Sequence, residues 1–349
     1  MTNANEQAVL EQVIVHRVGN PTRGEAIILS ARPLTLNDEL LRQLLLKYFL
    51  SSFNREELFQ FHHMNHLDQN EVYSFARQML HNEQAFLQAS QLIARFLYQK
   101  STHIRVKSGE LYVASLKQVW FENDYYDAIG IFKCESKQNF LRVIEHGNSF
   151  EVTCEEGIAP QKPDKGCLII KTQEADGYRV CVIDHTNKQQ DARYWVNDFL
   201  QVKPVTNEYS NTHAYLSLCK QFATEKMPEQ FEVTKGQQID LMQRSLEYFK
   251  EKEQFNLLEF AEEVIHYPDM VDQFMDFRQR FAQSAGQPLE DAFDISLAAV
   301  KKQQKIFKSV LKLDKNFHIY IHGRRDLIER GYDEAVGKHY YKVYFDEEQ

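Results

Sequence analysis
Along the 349-residue chain the spacing of apolar residues switches between helical and alternating, and each switch predicts a change of element. Residues 13–16 and 25–29 are short apolar runs with Gly19-Asn20-Pro21 between them, which predicts two strands joined by a turn. Asn37 precedes a leucine-rich run whose first positions are Asp38 and Glu39, so a helix capped by Asn37 is expected there. Val72, Phe75, Ala76, Met79 and Leu80, followed by Phe86, Leu87, Leu92, Ile93, Phe96 and Leu97, recur at helical spacing. They predict one long helix over 71–98, or two that meet near His81-Asn82.

The texture changes after Lys100. Residues 109–114, 128–132, 140–144, 167–170 and 178–183 are short β-prone runs. Turn clusters at 146–148, 164–166 and 176–177 separate them, and the pattern predicts an antiparallel meander. Tyr194-Trp195 and Phe199-Leu200 make a short apolar closing segment. Helical spacing returns at 208–226, 237–252, 256–265 and 270–284, with Pro228, Pro268 and Pro288 between these segments, where helices stop. A further helix is expected from Ala299 to Leu313. Phe317, Ile319 and Ile321 then alternate with His318, Tyr320 and His322, and Tyr341, Val343 and Phe345 alternate with Tyr340, Lys342 and Tyr344. Each set reads as a strand with one apolar face. The expected fold is α+β. Residues 1–203 form an N-terminal domain with an antiparallel meander sheet and helices. Residues 204–349 form a mainly helical C-terminal domain that carries a basic helix and ends in two short strands.

Charge sharpens this picture in one place. On a helix of about 100° per residue, Lys301, Lys305, Lys308 and Lys312 fall within roughly 60° of one another. Ala299, Ile306, Phe307, Val310 and Leu313 gather on the opposite side, to be buried. Residues 299–325 hold six lysines and two arginines against one aspartate, a net of +7 on a chain whose total is −9. The rest of the protein therefore sums to −16. Solvated helix faces usually mix signs, whereas no acid stands between Ala299 and Leu313. A cationic strip on an acidic body suits a polyanion, and spaced ammonium groups neutralise phosphates without reading bases. Arg324-Arg325, in the loop after the first terminal strand, extend the strip. If the two terminal strands pair, His318, Tyr320, His322, Tyr340, Lys342 and Tyr344 share a side; a buried face explains those rings better than a stacking platform.

Other chemistry is sparse. His62, His63 and His66 have zinc-like spacing but no HExxH glutamate. Asp184-His185 is an acid–base pair without a nucleophile or oxyanion motif beside it, and a turn-capping Asp accounts for it. No P-loop, GxGxxG, GxSxG or kinase signature occurs. We therefore expect no catalysis, no metal and no cofactor. The five cysteines are odd in number and widely spaced, with no CxxC, which suits reduced cytoplasmic thiols. The first residues lack a basic, apolar signal pattern, and the run at 40–50 is broken by Arg42, Gln43 and Lys47, so no membrane segment is expected. Hydrophobic residues at 43% and aromatics at 12% support real cores.

Three blocks carry a resemblance. Residues 293–321 with the Tyr-rich terminal strand, residues 111–141 (LYVASLKQVWFENDYYDAIGIFKCESKQNFL) and residues 192–222 (ARYWVNDFLQVKPVTNEYSNTHAYLSLCKQF) resemble NdpA-type nucleoid-associated bacterial proteins. Together the blocks span nearly the whole chain. The resemblance implies a bacterial cytoplasmic protein of the nucleoid and supplies no catalytic residues. The expected partner is DNA, double-stranded and read with weak sequence preference. The charge geometry, and not the resemblance, makes Lys301, Lys302, Lys305, Lys308, Lys312, Lys315, Arg324 and Arg325 the expected contacts. Nucleoid proteins are further expected partners, and a homodimer would pair two basic strips. The alternative is an adaptor whose lysines dock an acidic protein that brings it to the nucleoid.

Overall fold
The computed structural model describes residues 7–186, 194–285, 288–304, 307, 309–313, 317–321 and 327–347. The chain divides into two compact units, Met1–Val205 and Thr206–Gln349.

The first unit runs β1 (Val9–Val18), α1 (Glu39–Leu50), β2 (Leu58–Phe61), α2 (Glu71–His81), α3 (Phe86–Lys100), β3 (Gly109–Phe121), β4 (Asp124–Cys134), β5 (Gln138–His146), β6 (Ser149–Gly157), β7 (Lys165–Ile170), β8 (Arg179–Asp184), a π-helical segment at Tyr194–Leu200, and β9 (Val202–Pro204). Seven of these strands form one sheet in the order β1-β3-β4-β7-β8-β2-β9, antiparallel at every step. Both of its faces are covered, which is why β7 is apolar at successive positions and not at alternate ones. Cys167 and Ile169 face a core built with α2, α3 and the π-helical segment. Leu168 and Ile170 face the other way, into a core closed by Tyr48, Phe49 and Leu50 of α1. The β3–β4 turn places Glu122 and Asn123 at φ 44° and 69°, the left-handed pair that a two-residue hairpin requires.

Local chemistry corrects some expectations and decides between others. Asp38, not Asn37, caps α1, because its carboxylate accepts from Leu40 N at 2.8 Å and from Leu41 N. The long helical run is two helices: Asn82 closes α2 through its backbone N–H and accepts from Gln84 N at 3.0 Å to open the next turn. Residues 25–29 contribute a single bridge, Arg17 with Ile28, and no full strand. There the backbone returns so close to Gly19 that a Cβ would lie 2.6 Å from the Ala26 carbonyl oxygen. Residues 140–144 lie in β5, which leaves the meander and, among the described residues, pairs only with β6 in a separate hairpin.

The second unit runs α4 (Glu208–Gln221), α5 (Met227–Gln230), α6 (Lys235–Glu251), β10 (Gln254–Asn256), α7 (Leu257–Phe260), α8 (Pro268–Ala285), β11 (Ala292–Asp294), α9 (Leu297–Gln304), β12 (Ser309–Leu313), β13 (Phe317–Ile321), β14 (Ile328–Asp333) and β15 (Lys338–Val343). Capping boxes at Asn207–Ser210 and Thr234–Gln237 start α4 and α6. The helices close on an aromatic core in which Phe255 stacks between Phe249 and Phe293, at centroid distances of 5.3 and 4.8 Å. Arg278 ties α8 to this core by donating to the Tyr215 hydroxyl at 2.8 Å and the Leu289 carbonyl at 2.6 Å. The fold is thus α+β, with the large sheet in the first unit, helices dominating the second, and short strands at the end of the chain.

Candidate nucleic-acid interface
The basic segment begins on α9. Ser296 opens this helix: its Oγ accepts from Ala299 N at 3.3 Å and its carbonyl from Val300 N at 3.1 Å. Ala299, Val300, Gln303 and Phe307 are buried, a helical stripe turned to the core. Gln303 can be buried because its amide donates to Ser217 Oγ on α4 at 3.2 Å. Lys301 and Lys302 point outward and are exposed. The Lys302 ammonium lies 6.0 Å from the ring centroid of Tyr209 on α4, the outer limit of a cation–π contact.

The lysine stripe does not continue along one helix. Among the described residues the last helical bond runs from Phe307 N to Gln303 O at 3.2 Å, and β12 begins at Ser309. Lys312 lies on that strand, opposite His318 of β13. The reason is tertiary pairing. Ser309–Leu313 matches Phe317–Ile321 residue for residue, and a ladder partner overrides a helical period that the same residues also fit. Leu313 and Ile319 rest against the helical core. Lys305, Lys308, Lys315, Arg324 and Arg325 lie outside the described residues.

The terminal strands pair differently from the expectation. β13 pairs with β12, and β15 pairs with β14, so His318 and Tyr320 do not share a two-strand face with Tyr340 and Lys342. His322 lies outside the described residues. Tyr340 crosses Gly331, where a Cβ would meet its ring at 2.2 Å. The Lys342 ammonium is 4.7 Å from the Tyr344 ring centroid, and Tyr344 donates to Glu329 at 3.0 Å.

Several titratable groups elsewhere are matched to one another. His66 Nδ1 lies 3.3 Å from Asp68, and burial followed by the charge of Lys203 lowers the pKa of His62. Among the described residues no three His, Cys, Asp or Glu side chains gather as a metal site. Asp184 accepts from the buried Lys165 ammonium at 2.7 Å, more than the turn cap expected of it. Lys133, fully buried, pairs with Glu135 at 3.0 Å and donates to the Lys107 carbonyl at 2.7 Å. Tyr194 donates to Glu135 at 3.2 Å, and both ammonium groups lie within 5.7 Å of its ring centroid. Burial pulls the Lys133 pKa down and pushes the Tyr194 phenol up. Sequence reasoning passed over this network: Lys133 lies in the apolar end of β4, and Lys165 stands at the start of β7 in a stretch that read as a turn. Cys134, Cys167, Cys181 and Cys219 are buried, and burial pushes the Cys181 and Cys219 thiols up to about 12. Cys154 alone among the five is exposed.

Among the described residues no helix is long and apolar enough to cross a membrane. No curated protein matches the chain. The family described as nucleoid-associated protein YejK matches residues 14–339, and the chain belongs to that family.

Proposed function
We propose that the protein binds duplex DNA through its phosphate backbone, without catalysis, as a bacterial cytoplasmic protein of the nucleoid. The contacts are Lys301, Lys302, Lys305, Lys308, Lys312, Lys315, Arg324 and Arg325. The observation that carries this reading is the concentration of charge. Six lysines and two arginines stand against one aspartate in residues 299–325, on a chain otherwise at −16. Membership of a nucleoid-associated family supports it. The exposed Lys301 and Lys302, on a helix whose other side is anchored in the core, form a rigid start to such a surface. Contacts of this kind position a protein on DNA and give little sequence preference.

The net charge of −9 favours a second reading, in which long-range repulsion slows approach to DNA and the lysines dock an acidic nucleoid protein instead. Purified protein and naked duplex DNA at low salt separate the two. Binding without a partner supports the first reading. Failure to bind, with lysine-dependent capture of an acidic protein, supports the second.

A further inference from the structure
The β5–β6 hairpin has two unlike faces. Its register pairs Leu141 with Cys154, Val143 with Val152 and Glu145 with Phe150, so these six side chains share one face. The opposite face carries Phe140, Arg142, Ile144 and His146 with Glu155, Thr153, Glu151 and Ser149. On that opposite face the charges satisfy one another: Arg142 reaches Glu155 at 3.2 Å and His146 reaches Glu151 at 3.2 Å. At the root, Lys137 bridges Glu110 of β3 at 3.0 Å and Glu156 at 3.5 Å, which fixes the hairpin to the sheet.

The first face is apolar and open. Leu141, Val143, Phe150 and Val152 are 72%, 63%, 70% and 58% exposed, and Cys154 beside them is exposed. None of these residues enters either hydrophobic core of the first unit. Together they present on the order of 500 Å², near the upper end for an apolar patch on a monomer. A two-stranded hairpin with nothing against it is marginal in water, and three strands or a packed face are needed for stability. This arm therefore has the composition of a surface that is covered.

We infer that a second copy of this chain covers it, apolar face on apolar face. Three observations favour a second copy. One arginine stands against four glutamates over residues 138–157, so a phosphate backbone is repelled. The neighbouring charges are already paired, leaving Glu145, one rung before the tip, as the one charge on the apolar rungs. The Val143–Val152 rung stands at the middle of the stripe, so a two-fold axis through it lays the stripe on itself, as an isologous contact requires. Two such faces bury about 1,000 Å², the floor for a specific interface, so the dimer is a weak one in the micromolar range.

Sedimentation of the full chain between about 1 and 100 µM tests this. The wild type should pass from one chain of 41.2 kDa toward twice that mass over this range. Val143→Thr/Val152→Thr keeps the β-branched shape and removes the apolar contact. It and Val152→Lys should both remain monomeric at the highest concentration with an unchanged melt, while Arg142→Gln, on the opposite face, should dimerise as the wild type does. Labelling of Cys154 by a maleimide should slow several-fold across the same range in the wild type and stay constant in the Thr variant. A monomeric wild type throughout overturns the inference, whether another segment or another protein then proves to cover the face. So does a dimer that both face variants retain.

Discussion

Lys312 stands opposite His318 in the antiparallel ladder of β12 and β13. That pairing ends the lysine helix early and sets Lys312 on a different element from Lys301 and Lys302. Among the described cationic residues of this segment, Lys301 and Lys302 therefore stand on a helix and Lys312 on a hairpin. The backbone geometry can be checked in solution. Residues 309–313 should give strand-like Cα chemical shifts, and an NOE should connect the backbones of Lys312 and His318. Helical shifts through Leu313 with i,i+3 contacts would contradict the ladder.

Much of the fold was legible because periodicity and burial agree there. β7 read as a strand from four consecutive apolar residues, and the break between α2 and α3 was marked by Asn82. The buried side of this segment was legible in Ala299 and Phe307, which are buried as the spacing requires. What was hidden depended on partners distant in sequence. Nothing in residues 309–313 alone tells a strand from a further helical turn; residues 317–321 decide it. β5 carries the same texture as the meander strands, yet among the described residues it pairs only with β6. The buried Lys133 and Lys165 looked like surface residues, because their carboxylates, Glu135 and Asp184, are recognisable as partners only once the sheet is formed.

A second prediction concerns acid stability. His16 is buried, its Nδ1 accepting from Ser30 N at 3.1 Å and its Nε2–H donating to Ser90 Oγ at 3.2 Å. This arrangement needs the neutral ring, and burial lowers its pKa from 6.5 to about 4. Between those values the unfolded chain binds a proton that the folded one does not. The contribution of His16 is thus present above pH 6.5 and is lost as pH falls toward 4. The loss amounts to roughly 3 kcal/mol. Urea unfolding of wild type and His16→Gln at pH 7 and pH 4 should show a difference that narrows by about this amount. Parallel stabilities at the two pH values would show that His16 is not held neutral.

A third prediction concerns the buried pair on β4 and the residues after it. Glu135→Gln removes the carboxylate beside the fully buried Lys133 and leaves the ammonium with the Lys107 carbonyl and the Tyr194 ring. Removing one member of a buried pair costs on the order of 3 kcal/mol. At about 2–4 °C per kcal/mol for a unit of this size, the melting temperature should fall by roughly 6–12 °C. A melt within about a degree of wild type would show that the carboxylate is dispensable to Lys133.

The most direct test of the proposed function is the salt dependence of duplex binding by wild type and by a variant with Lys301, Lys302, Lys305, Lys308, Lys312 and Lys315 replaced by Gln. On α9, Gln keeps the helix propensity of Lys301 and Lys302. If each lysine neutralises one phosphate, the wild-type slope of log K against log salt is steeper by about 0.9 × 6, or roughly 5, than that of the variant. The predicted result is weaker binding and a shallower slope in a variant that melts near wild type, with the same loss on unrelated duplex sequences. A folded variant whose affinity and slope equal those of wild type would contradict the assignment of this segment as the DNA surface.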